Sequence, residues 1–518
     1  MSRPEDSTKG PLRPSPRRTR YFLRLPLASL SGVFGSLALV ALLGCATGSP
    51  FNQNFVEVLT PNFRVTSSLG EKPTRVLARD LEAFHSGVLS ALGLNPSAQR
   101  NHPTQVIAFD GRGFSRPFAE RGASASLIPT LDGPVLMIRA EGDIRERVDD
   151  ELRHRYAHRI LRDLSRADAP LWYEEGRAQV GGTVQQKEDV VIIGRSNEAF
   201  RRMLLDWRRD NLVEGLSRRS LAEATSAERE RFDAESWATV HTLLFDSAKR
   251  GKGAAALNSV RVAFESSSPR RLETATAALG SESELTARIY THLEEDRYRV
   301  DRLVVSGFTP EDLVVEPLAP AIARDRLAQL ALDLERPALA AEYFERALRD
   351  RPDYAPALAG QVLADALLGR TQGLEERVAA LEKSAEAEIE TLSRLALALL
   401  AAAVDAEEVN LRSARLRSTR AIFERILGLD PGNIIASVGI GSSLLVEGED
   451  FEAARKWFEA AQRESRGALG LDLLMARGAI QSGRPNSAKA HLVRALSRSH
   501  SRRIRKKARE LLERVESP

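Results

Sequence analysis

Hydrophobic positions along this chain change rhythm three times. From Leu25 to Leu43 apolar residues run almost without a break, interrupted only by Pro26, Ser and Gly. From about residue 59 the rhythm is mixed. Asn62–Ser67 alternates as a short strand does, whereas Arg75–Leu92 places Val76, Leu77, Leu81, Phe84, Val88 and Leu89 at helical spacing. Val106–Phe109 reads as a second strand, and Ser124–Pro129 and Val135–Arg139 as two more, joined by the turn-forming Asp132-Gly133 pair. A helix from about Ile144 to Leu164 follows, with Val148, Leu152, Tyr156 and Ile160 in one apolar sector. From Phe200 the pattern is helical and charged to about Val304, with loop signals at Gly251-Lys252-Gly253 and Ser266–Pro269. A break over 306–320 holds Pro310, Pro317 and Pro320 and marks a domain boundary.

Beyond that break every element reads as helix, and a frame repeats. Ala340, Phe344, Ala347 and Pro352 stand at spacings of four, three and five. The frame returns at Thr419, Phe423, Ile426 and Pro431, then at Ala454, Phe458 and Ala461, and again at Ala488, Leu492 and Ala495. Small residues at these points let paired helices approach closely. The pattern resembles the second helix of a tetratricopeptide (TPR) repeat, which implies four to six repeats forming an all-α superhelix with a concave groove for a protein or peptide partner. The uncharged run Leu395–Val404 is too short to span a membrane and fits a buried helix. A terminal helix carries Arg502, Arg503, Arg505, Lys506, Lys507 and Arg509, read as a solvated capping face, or as a contact for an acidic partner or anionic envelope surface.

The apolar run at the start follows a basic leader with Arg17, Arg18, Arg20 and Arg24 and ends in Leu42-Leu43-Gly44-Cys45, where Cys45 is the chain's single cysteine. This resembles a bacterial lipoprotein signal. The resemblance implies cleavage before Cys45, lipidation of that cysteine, and, with Ala46 rather than Asp after it, an outer-membrane anchor facing the periplasm. An uncleaved membrane anchor with an incidental cysteine is the alternative. Residues 1–44 carry seven Lys or Arg and two Asp or Glu, so the remainder has 68 positive against 69 negative side chains. A neutral body gives no case for nucleic acid. The expected organisation is a signal peptide at 1–44, a lipidated tether at 45–58, an α+β domain at 59–305, a linker at 306–320 and repeats at 321–518.

The candidate chemistry lies between Asp149 and Val180. His154 and His158 are four residues apart, about 40° apart on one helix face at about 100° per residue. Two imidazoles so placed can bind one tetrahedral ion if a third ligand comes from elsewhere. Glu175 follows in Trp172-Tyr173-Glu174-Glu175-Gly176-Arg177-Ala178-Gln179, a segment that opens a second helix after Pro170. Together with Ser236-Trp237-Ala238-Thr239-Val240-His241, these stretches resemble the gluzincin-type zinc peptidases (peptidase MA-like), whose motif is H-E-x-x-H followed by W-x-x-E-G-x-A-E. The resemblance implies a zincin-like fold over about 55–244, His154, His158 and Glu175 as zinc ligands, and Val135–Arg139 as the sheet edge beside the cleft.

Two departures fall on the chemistry. Arg155 stands where the glutamate should take a proton from the zinc-bound water, and a guanidinium that is always charged and donates only cannot do so. Gln179 replaces a carboxylate that would orient a ligand. Arg155 reads either as a surface partner of Glu151, four residues earlier, or as an anion contact. Glu151 is also the one carboxylate a turn away that could stand in as base. His154 and His158 either keep zinc or hydrogen-bond Glu175 without it. Trp172 and Trp237 read as core, and His241 as a packing residue rather than a further ligand. Two functions follow: a lipid-anchored scaffold with an inactive metallopeptidase-like domain, or a zinc metallopeptidase acting on envelope proteins or peptides.

Overall fold

A computed structural model of the chain describes residues 53–516, apart from 95–102, 112–116, 119–124, 132, 141–149, 165–168, 188–189, 208–211, 213–215, 217, 219, 247–249, 267–269, 296–297, 305–311, 385–387, 449–450 and 466–468. Cys45, the leader and residues 144–149 of the histidine helix therefore lie outside the described residues.

Strands β1 (Phe55–Leu59), β2 (Phe63–Ser67), β3 (Thr104–Asp110), β4 (Ala125–Ile128), β5 (Val135–Ala140) and β9 (Val315–Leu318) form one sheet in the order β4-β5-β3-β2-β1-β9. β2–β3 and β3–β5 are parallel and the other pairs antiparallel. Alternation along these strands serves two cores. Val106 and Ala108 of β3 and Leu136 and Ile138 of β5 face one core, whereas Ile107 and Phe109, and Val135 and Met137, face another. Helix α1 (Glu71–Ala91) and helix α2 (Asp150–Leu164) cover the first face through Leu77, Leu81, Val88, Leu152, Tyr156 and Ile160. Both faces of the sheet are apolar, so both must be covered.

The second cover comes from the repeats. Helices α9 (Pro320–Asp333) and α10 (Pro337–Asp350) place Ala323, Leu327 and Tyr343 in the core of the opposite face, where Phe118 stacks on Phe109 and meets the Tyr343 ring at a tilt. Arg326 donates to Glu57 and to Thr66 Oγ1, and Arg336 to the Pro117 carbonyl. Three expectations change here. Residues 315–318, anticipated inside a linker, are β9 and extend the sheet beside β1, which itself begins within the anticipated tether. β5 is not the sheet edge, because the hairpin strand β4 pairs outside it in register Ala125↔Ile138 to Ile128↔Val135.

Between sheet and repeats lie helix α3 (Leu171–Gly182), a small sheet of β6 (Gln185–Lys187), β7 (Val190–Ile193) and β8 (Asp301–Val304), and helices α4 (Glu198–Asp206), α5 (Ser226–Phe245), α6 (Arg250–Glu265), α7 (Arg271–Ala277) and α8 (Glu282–Leu293). A capping box between Thr225 and Glu228 starts α5. Gly251–Gly253, anticipated as a loop, lie in the first turn of α6, where Gly253 runs against the backbone of Leu243. α3 is wedged between α2 and α5, and two glycines make room for it. A Cβ on Gly176 would lie 2.2 Å from the Ser236 carbonyl oxygen, and one on Gly181 2.8 Å from the Ala157 Cβ. That is why the Trp-Tyr-Glu-Glu-Gly and Ser-Trp-Ala-Thr-Val-His stretches belong together.

The helical part continues with α11 (Ala355–Leu367), α12 (Leu374–Ser384), α13 (Ile389–Asp405), α14 (Val409–Leu429), α15 (Ile434–Glu447), α16 (Phe451–Glu464), α17 (Gly470–Gln481), α18 (Pro485–Arg498) and α19 (Arg502–Glu516). Consecutive helices pair, and the frames read in the sequence fall on α10, α14, α16 and α18 with Ala340, Phe344 and Ala347, Thr419, Phe423 and Ile426, Ala454, Phe458 and Ala461, and Ala488, Leu492 and Ala495 all buried. One lock recurs: Gly360 lies under the Phe344 ring and Gly439 under the Phe423 ring, each sixteen residues on. Among the described residues no helix is long and apolar enough to cross a membrane.

A methyl group on Gly176 has no space that flexible atoms could yield, because the obstacle is backbone. Gly176→Ala is expected to cost about 1–3 kcal/mol and to lower the urea midpoint of the chain. An unchanged midpoint would show that α3 and α5 are not in this contact.

Candidate functional site

The site is built on α2 and α3. His154 and His158 project from the same face of α2 one turn apart, and α3, held against α2 by Gly181, brings Glu174 and Glu175 to them. His154 Nε2 lies 3.0 Å from Glu175 Oε1, and His158 Nε2 3.1 Å from Glu175 Oε2. The two Nε2 atoms are 3.0 Å apart. The three residues anticipated from the sequence are thus brought together.

A fourth joins them from the far end of the chain. His500, in the turn between α18 and α19, puts its Nε2 3.3 Å from Glu175 Oε2, with its ring 4.8 Å from that of His154 and 4.6 Å from that of His158 between centroids. One ligand atom from each of His154, His158, Glu175 and His500 falls within 4.8 Å of the others.

The surrounding contacts set the chemistry. His158 Nδ1 donates to Glu174 Oε1 at 3.1 Å, which turns its Nε2 lone pair toward the centre. Gln179 Nε2 donates to Glu175 Oε1 at 2.9 Å, so this amide orients the carboxylate rather than a histidine. Arg162 and Arg498 both donate to Glu174, and Arg498 also to the Ala169 carbonyl at 2.7 Å. Burial alone would raise both carboxyls; for Glu174 the guanidiniums of Arg162 and Arg498, and for Glu175 the imidazoles of His154, His500 and His158, hold them well below the usual range instead. Burial pushes the His500 imidazole down to about 4.

Three Nε2 atoms face one carboxylate here, which neutral imidazoles can satisfy by donating N–H, protonated imidazoles by charge, or a single metal ion by accepting their lone pairs. The donor set fits a metal. Tetrahedral zinc with bonds of about 2.0–2.1 Å needs donor atoms about 3.3 Å apart; the two Nε2 atoms of α2 at 3.0 Å, and the contacts of His154 with Glu175 Oε1 at 3.0 Å and of His158 and His500 with Oε2 at 3.1 and 3.3 Å, are near that spacing, and the four donors together lie within 4.8 Å.

The remaining anticipated residues divide. Arg155 is half-buried on α2 and near Arg505 of α19, whose guanidinium is lowered below its ordinary value by burial first, then by Arg509, then by Arg155. The side chain of Glu151 lies outside the described residues. Trp172 is buried in the core, edge-on to Tyr173 at 5.8 Å. His241 does not support the cluster: its Nδ1 lies 2.9 Å from His292 Nε2 and its Nε2 3.0 Å from the Gly194 carbonyl, so both ring nitrogens are engaged elsewhere. Sequence reasoning passed over His500, Glu174, Arg162 and Arg498. Only the doubled Glu174-Glu175 was a local signal; nothing in spacing ties residue 500 to residue 154.

Neither a protein-family model nor a curated protein matches the chain. Solved structures that resemble it include a thermophilic TPR protein of Thermus thermophilus, 20% identical, covering 37% of this chain and 98% of that one with a TM-score of 0.34. Another is a tetratricopeptide repeat protein from Parabacteroides merdae, 13% identical, covering 59% and 98% with a TM-score of 0.31. Likenesses of this size carry no argument, and the repeat description rests on the helix pairing and the buried frames.

The His241–His292 pair supplies a pH dependence. Burial, with the neighbouring His292, pushes His241 down to about 3, and burial pushes His292 down to about 4. An unfolded histidine titrates near 6.5, so the unfolded chain takes up protons that the folded pair refuses. The stability these groups contribute is full above about pH 6.5 and is lost as pH falls toward about 4 and then about 3. Denaturant unfolding between pH 7 and pH 4 should show a steeper loss for the natural chain than for His241→Gln/His292→Gln. Equal slopes would place the two imidazoles outside the pair described.

Proposed function

We infer that this chain is a lipid-anchored envelope scaffold: a zinc-peptidase-like N-terminal domain that no longer turns over substrate, continuous with a TPR-like array that binds a protein or peptide partner. The observation that carries this reading is His500. In a working zinc peptidase three protein ligands leave a fourth position for water, whereas here a side chain of the chain itself stands against Glu175 beside His154 and His158. Arg155 supports the same reading from the other side, since it offers no lone pair to accept the proton that hydrolysis must move. The loss of general acid-base help alone removes about 10² to 10⁴ in rate. Partner binding rests on the helix pairs, whose stacked repeats leave extended surfaces of the kind that hold peptides.

Cleavage decides between scaffold and peptidase. The full-length chain in detergent, incubated with zinc and an unfolded protein substrate, is expected to give no chelator-sensitive cleavage. Arg155→Glu alone is expected to remain inactive, because His500, beside Glu175, would still stand where the water must bind. Chelator-sensitive turnover by the unmodified chain would make it an enzyme and end the scaffold reading.

Anchoring has a separate test. Cys45→Ser is expected to move the protein from the membrane to the soluble fraction; continued membrane retention would replace lipidation at Cys45 with anchoring by the Leu25–Leu43 segment.

A further inference from the structure

The turn between α18 and α19 is tied to the N-terminal domain by unequal contacts. Arg498 and His500 enter the cluster, where Arg162 also donates to the Arg498 carbonyl at 2.6 Å; beside it Leu221 donates its N–H to Ser497 Oγ at 3.0 Å and Arg229 donates to the Leu496 carbonyl at 3.0 Å. α19 reaches the first repeat helix rather than the N-terminal domain, Arg503 donating to the Asp333 carbonyl at 3.2 Å and Lys507 pairing with Glu335 at 2.7 Å. Arg503, Lys507 and Glu335 keep solvent contact, so these ion pairs hold little by themselves. Among the described residues, the turn brings Arg498 to Glu174 and His500 to Glu175 at the centre shared with α2 and α3.

We propose that His154, His158, Glu175 and His500 bind a single zinc ion as a closed, four-ligand centre, and that this ion clasps the end of the repeat array to the N-terminal domain. The inference rests on the reading that the cleft has kept its ligands and lost its turnover. Three imidazoles and one carboxylate are a donor set for zinc and its first-row neighbours rather than for magnesium or calcium, which take oxygen ligands. The pieces that such a centre needs around it are present: Glu174 fixes the His158 ring by accepting from Nδ1, and Gln179 holds Glu175 by donating to Oε1. With four protein ligands no coordination position is left for water, which is the arrangement of a structural site rather than a catalytic one. The clasp also closes a loop from residue 175 to residue 500, so its contribution falls on the relation of the two parts more than on either alone.

The test uses the detergent-solubilised full-length chain, stripped with a chelator and titrated with Zn²⁺ against a competing zinc indicator, while hydrogen exchange is followed in residues 502–516. One zinc per chain is expected, with slower exchange in that helix once zinc is bound, a result that needs no variant. His500→Ala should weaken zinc binding by at least ~100-fold and abolish the zinc-dependent slowing. Arg503→Ala/Lys507→Ala, which loosens the same helix without touching a donor atom, should keep the zinc affinity. If His500→Ala binds zinc as tightly as the unmodified chain, the centre has three ligands and the clasp is overturned. If the unmodified chain binds no zinc, the metal is overturned, while the inactive-scaffold reading, which stands on the cleavage assay, is untouched.

Discussion

Two carboxylates, Glu174 and Glu175, are buried side by side on α3, and the rest of the site is arranged around keeping them charged. An unpaired carboxylate in a dry interior is too costly to persist and would take up a proton instead. Glu174 is held by Arg162 and Arg498, and Glu175 by three imidazoles and the Gln179 amide. Arg498 and His500 lie more than 320 residues along the chain from the groups they serve. The N-terminal domain is therefore not electrostatically complete until the last repeat has docked.

The apolar side of the structure shows the same dependence. A sheet whose strands send Val106 and Ala108 to one face and Ile107 and Phe109 to the other needs a cover on both, and the chain supplies α1 and α2 for one and α9 and α10 for the second. β9 makes the junction continuous, pairing with β1 and leading within two residues into α9. The repeat array thus starts as a layer of the N-terminal core and ends as part of its polar site.

Much of this was legible in local pattern. Period-two alternation marked β2, short apolar runs and a turn signal marked β3, β4 and β5, and the repeated small-to-large frames marked α10, α14, α16 and α18, because in each case the signal lies within a few residues. His154, His158 and Glu175 were legible for a similar reason: two share a helix face and the third lies in the next helix. His500 was not, since its role depends on where the array ends in space. β9 was hidden by Pro317, which reads as a break but sits in an edge strand, where a missing N–H is tolerated. The position of β5 inside the sheet followed from a hairpin partner only four residues long.

The central claim is that the chain closes its own metal site with a side chain from its last repeat. X-ray absorption at the zinc edge of the full-length protein counts the ligands directly. The account predicts the ring scattering of three imidazoles in a four-coordinate shell. Two imidazoles with a water oxygen in the remaining position would contradict it, and would return the cleft to the open geometry of a catalytic site.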